Sequence, residues 1–114
     1  VYVFTRSGTS WSQQAKLVAG NPSGLDEFGK SVDIDGDTVI IGATKEDTGI
    51  QDTGAAYIFT RSGTTWSEQK LLKGSDVPAY KRFGWAVAID GSTAVGTTKL
   101  IDSNTGAAYT FLAG

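Results

Sequence analysis

Apolar and polar side chains alternate along much of the chain. Across Phe28–Asp35, Phe28, Val32 and Ile34 fall on one face, while Gly29, Ser31 and Asp33 fall on the other. A period of two is the mark of a strand with one covered face. Asp35-Gly36 follows, a dipeptide that accepts the positive φ angles of a tight hairpin turn. Thr38–Ala43 is a run rich in Val and Ile, which reads as a strand covered on both faces. A polar loop over residues 44–53 leads to a third strand over 54–61, a turn at Ser62-Gly63-Thr64, and a fourth strand over 66–72. No segment carries the 3.6-residue period of an amphipathic helix.

The same pattern occurs more than once. Tyr2-Val3-Phe4-Thr5-Arg6-Ser7-Gly8 returns as Tyr57-Ile58-Phe59-Thr60-Arg61-Ser62-Gly63, with Trp11-Ser12 and Trp66-Ser67 following. Phe28-Gly29 returns as Phe83-Gly84, and Val32-Asp33-Ile34-Asp35-Gly36 as Val87-Ala88-Ile89-Asp90-Gly91. Gly54-Ala55-Ala56-Tyr57 returns as Gly106-Ala107-Ala108-Tyr109. The offset is about 55 residues, near the long end of propeller and array repeats. Read in order, residues 1–17 supply strands three and four of a unit, 28–72 a complete four-stranded unit, and 83–112 strands one to three of another. A four-stranded antiparallel meander in tandem is the usual build of a propeller blade. The expected fold is therefore all-β. Its core is expected at Phe4, Phe28, Val32, Ile34, Val39, Ile41, Tyr57, Phe59, Phe83, Val87, Ile89, Val95, Tyr109 and Phe111.

Composition narrows the function. The 114 residues carry a net charge of −2, with scattered cations of which Lys81-Arg82 is the densest group. That balance argues against nucleic acid and anionic membranes as partners. No apolar run approaches the roughly 18 residues of a membrane helix. Histidine and cysteine are both absent, which removes His/Cys zinc sites, thiol nucleophiles and Ser-His-Asp triads. The chain opens without Met and without a leader-like segment, as a processed product or a piece of something longer would.

Phe28-Gly29 with Gly42-Ala43-Thr44, and Phe83-Gly84 with Gly96-Thr97-Thr98, resemble the FG-GAP repeat, the blade unit of integrin α-chain propellers and related surface proteins. Proline is missing from the second half of the motif in both units. The resemblance implies an antiparallel β-propeller, an extracellular or cell-surface setting, and a non-catalytic role in adhesion, recognition or scaffolding. A carbohydrate-binding propeller lectin is the first alternative, and a propeller-fold hydrolase the second.

Three groups of residues are candidates for chemistry. Integrin-like blades often hold Ca²⁺ between their first two strands, where this chain has Asp33, Asp35 and Asp37. Calcium takes six to eight oxygens, and the strand that begins at Thr38 cuts the acidic series short. No cofactor is expected, and calcium is not expected to be required. The loop after the second strand carries Glu46, Asp47 and Asp52, candidate ligand contacts because blade-end loops commonly carry function. These three are also the likelier ligands should calcium bind after all. Tyr80 and Trp85 break the repeat and are candidates for stacking on a ligand, whereas Trp11 and Trp66 are equivalent and read as architectural. Nothing marks a nucleophile, a phosphate loop or a cofactor site, so the chain reads as a non-enzyme. A closed propeller holds about four to eight blades, and the chain carries about two FG-GAP units. Its terminal strands are expected to pair with other copies of itself or with neighbouring repeats of a longer parent. A glycan or protein ligand completes the expected partners.

Overall fold

The computed structural model describes residues 1–18, 27–44, 54–73, 82–98 and 107–112. They form nine strands and no helix: β1 (Tyr2–Ser7), β2 (Ser10–Lys16), β3 (Phe28–Asp35), β4 (Thr38–Ala43), β5 (Ala55–Ser62), β6 (Thr65–Leu72), β7 (Val87–Asp90), β8 (Thr93–Thr97) and β9 (Ala108–Leu112). The strands group into three antiparallel sheets in sequence order, β1-β2, β3-β4-β5-β6 and β7-β8-β9. Each tight turn falls on a glycine held at positive φ, Gly8, Gly36, Gly63 and Gly91, as the Ser-Gly and Asp-Gly pairs require.

The middle sheet is covered on both faces. On one face Val39, Ile41, Tyr57 and Phe59 are buried against Val3 and Leu17 of the β1-β2 unit. On the other face Ile40, Ile58 and Leu72 pack on Phe83, Ile89 and Ala94 of the third sheet. Adjacent residues of β4 and β5 thus enter different cores, which is why their sequence lacks alternation. Phe28 meets Tyr57 and Phe59 edge-on with ring centroids 5.3 and 6.2 Å apart. Phe83 repeats this with Tyr109 and Phe111 at 5.5 and 5.8 Å.

Four residues expected in the core are outside it: Val95 is half-buried and packs in neither core, and three others are more than half exposed. Phe4, Val32 and Ile34 are 53%, 53% and 56% exposed. The strand register is as expected, because Ile34 pairs with Val39 and Val32 with Ile41, both of them buried. The cause is the extent of the covering layer. Two strands, β1 and β2, cover β4 to β6 but leave the edge strand β3 open. Phe4 lies on the face of β1 opposite to Val3, and that face has no sheet against it among the described residues.

Candidate functional site: the repeat-to-repeat interface

The two halves of the Phe-Gly and Gly-Ala pattern meet across sheets, not within one. Gly42 of β4 lies directly under the carbonyl oxygen of Gly84, so closely that a Cβ on Gly42 would overlap it. The Ser31 hydroxyl donates to the same carbonyl at 2.8 Å. Phe83 forms a parallel bridge with Gly54, where a Cβ would strike the Phe83 backbone. The Phe-Gly of one repeat is therefore seated between two glycine positions of the repeat before it.

A second point of contact is built from polar groups. The pairing of β1 with β2 slips between Val3 and Phe4, which leaves Gln14 as the extra residue of a bulge. The bulge turns Gln14 toward the middle sheet. Its Oε1 accepts the Trp66 indole N–H at 2.8 Å and the Arg61 guanidinium at 3.3 Å. Arg61 also lies over the Trp66 ring at 5.1 Å and donates to Asp37 at 2.6 Å. The same slip occurs in β5-β6 between Ile58 and Phe59, with Gln69 as the extra residue. In the first repeat Arg6 covers the Trp11 ring at 5.7 Å, and Trp11 is 63% exposed.

The acidic series at the first hairpin makes a third contact. Asp33 accepts its neighbour Ile34 N–H at 2.9 Å through Oδ1 and the Ile89 N–H at 2.8 Å through Oδ2. Asp35 accepts the Gly91 N–H at 2.6 Å. Asp37 is engaged with Arg61. The three carboxylates point to three separate donors and converge on no common point. Two of them stitch β3 to β7, the strand in the equivalent position of the next sheet.

Of the aromatic candidates, Trp85 is half-buried and its ring carries the Lys30 ammonium 4.7 Å from the centroid. Lys30 and Trp85 occupy the same position in successive repeats, so this contact too joins one repeat to the next. Trp66 is packed at the sheet interface as its architectural reading requires, whereas Trp11 is exposed on the outer face of the first sheet. Glu46, Asp47, Asp52 and Tyr80 lie outside the described residues.

Gln14, Arg61 and the backbone donors of Ile89 and Gly91 are absent from the candidates read in the sequence. One signal for Gln14 was there. A glutamine stands three residues after the repeated tryptophan in both copies, as Gln14 after Trp11 and Gln69 after Trp66.

Compared with curated proteins, the chain gives no match. The family model of the FG-GAP repeat matches it twice, over residues 11–59 and 66–111.

Proposed function

The chain belongs to the FG-GAP repeat family, and from that premise we propose that it is a non-catalytic β-propeller repeat module of a secreted or cell-surface protein. Its role is to present a rigid stack of blades for adhesion or recognition, joined to neighbouring repeats or to further copies of itself. The observation that carries this reading is the use made of the polar groups. Asp33 and Asp35, candidates for chemistry, bind the next sheet instead, and Gln14 and Arg61 bind each other across the first two sheets. That leaves contact with a ligand to the segments between strands, where Glu46, Asp47, Asp52 and Tyr80 lie in sequence, and to the neighbourhood of Trp85. Such a division, a rigid scaffold with variable connections, is how β-repeat proteins commonly bind. The fold itself hosts many functions, so the role rests on the residues and not on the architecture alone.

The test is a binding screen on the purified chain. Extracellular proteins and a glycan array are presented to the immobilised protein, and generic glycosidase and esterase substrates are assayed in parallel. The reading expects saturable binding to a protein, weakened by the triple change Glu46→Ala, Asp47→Ala and Asp52→Ala. Turnover of a substrate would contradict it, and selective sugar binding would favour a lectin.

A further inference from the structure

Two cations and an aromatic ring come together along the seam between the middle and third sheets. Both sheets belong to this chain, and the Ser31 hydroxyl ties them there by donating to the Gly84 carbonyl at 2.8 Å. Next to Ser31, Lys30 is exposed, and its ammonium lies 4.7 Å from the centroid of the half-buried Trp85. A ring face attracts the charge but leaves most of the three N–H donors for other partners.

The second cation is Arg82. It precedes Phe83-Gly84 as Glu27 precedes Phe28-Gly29, a reversal of charge at equivalent places. Both residues take left-handed backbone, with φ of 56° at Glu27 and 58° at Arg82, a region uncommon for residues other than glycine. In the first repeat the side chain serves the fold, because the Glu27 carboxylate accepts the Thr44 hydroxyl at 2.5 Å. Arg82 has no such use among the described residues. It is half-buried, and its Nε is buried with no hydrogen-bond partner. A buried donor without an acceptor costs stability. A local rule broken in an otherwise consistent repeat marks a functional position. Packing of the stem also holds the guanidinium in place, which lowers the ordering cost of binding through its outer Nη groups.

Neither cation is ion-paired among the described residues, where the salt bridge is that of Arg61 with Asp37. In a chain of net charge −2 this is a local positive patch. Its chemistry suits a carboxylate, which a guanidinium takes through paired N–H groups and an ammonium as a point charge. A singly charged carboxylate is also repelled less by an acidic chain than a phosphate is.

We infer that Lys30 and Arg82, with Trp85 holding the Lys30 ammonium in place, bind a carboxylate of an acidic peptide segment in a protein ligand. The inference rests on the binding-module reading and names the chemistry recognised near Trp85.

The test is a heteronuclear NMR titration of the isotope-labelled chain with a hexaglutamate peptide, followed at the Trp85 indole N–H and the Arg82 Nε–H. Saturable shifts of both are expected at fixed ionic strength, and the affinity should fall as salt is added. Lys30→Gln and Arg82→Gln should each weaken binding about tenfold or more, the effect of losing a charge-assisted hydrogen bond. Arg82→Lys keeps the charge without the fork and should bind between Arg82→Gln and the unchanged chain. Lys16→Gln removes an equal charge on β2 and should leave binding unchanged. Circular dichroism confirms that each variant is folded. Shifts that grow without saturating overturn the inference, as does binding that is equal in the Lys16, Lys30 and Arg82 variants. Acetate at the same carboxylate concentration is the free-carboxylate arm, and an equal affinity for it would overturn a peptide ligand. A protein ligand found in the screen above with no response to hexaglutamate overturns this inference alone, whereas turnover of a substrate overturns the binding-module reading.

Discussion

At Gly42 an added methyl group has nowhere to go, because the Gly84 carbonyl already occupies its place. Both sides of that contact are backbone, so relief requires the sheets to part. Gly42→Ala is expected to cost about 1–3 kcal/mol, the usual range for overpacking a filled site, measured by urea denaturation. Phe28 and Phe83 are equivalent in sequence but not in burial, since Phe83 is fully buried and Phe28 is only half covered. Phe83→Ala should therefore cost about 3–5 kcal/mol, transfer plus cavity, and Phe28→Ala about 1.5–3 kcal/mol. Equal losses would show that the covering layer extends over β3. Asp33, Asp35 and Asp37 already hold separate donors. Melting curves in EDTA and in millimolar Ca²⁺ are accordingly expected to agree within about 3 °C, less than a 1 kcal/mol change produces in a domain of this size. A larger rise with Ca²⁺ would point to Glu46, Asp47 and Asp52.

Between elements, the stability of the stack depends on side chains that a bulge has re-aimed. Gln14 is the extra residue of the β1-β2 bulge, and Trp66 bonds to it. Removing its side chain leaves a partly buried indole N–H without its acceptor, a loss of about 1–3 kcal/mol. A double-mutant cycle on Gln14→Ala and Trp66→Phe, read in chemical denaturation of the dilute protein, is expected to give a coupling of about 1 kcal/mol. The cycle on the equivalent Gln69 and Trp11 joins residues on different sheets that do not meet within one chain. Its coupling should be within about 0.5 kcal/mol of zero. Much at this scale was legible in the sequence. β3 and β4 begin and end where the alternation and the Asp-Gly turn put them, β5 is displaced by one residue at both ends, and β6 begins one residue earlier than expected. Bulges were not legible, because β2 and most of β6 are polar and carry no alternation for an extra residue to interrupt. Gln14 therefore looked like one more exposed polar residue of a strand.

For the whole molecule, the sequence carried the repeat and hence the sheets, but not which faces would be covered. Tyr2, Phe4 and Trp11 have the same neighbours in sequence as Tyr57, Phe59 and Trp66, yet the first set is exposed and the second is packed. Local pattern tells which side of a strand is apolar. Whether that side is covered depends on the sheet next to it, which is a property of position in the stack. The same limit applies to the candidate site. Trp85 could be named from its sequence because it broke the repeat, but the lysine seated on its ring was visible only once the sheets were stacked.

Among the described residues, the middle sheet is held by its neighbours on both faces while the outer sheets are each held on one. Native-state hydrogen exchange tests it directly, since local opening reports how well each strand is covered. Amides of β4 and β5, around the fully buried Ile40, Ile41 and Ile58, are expected to exchange slowest. Those of β1 and β9 should exchange fastest among the paired strands. Equal protection across all three sheets, or faster exchange in β4 and β5 than in β1, would contradict this layering.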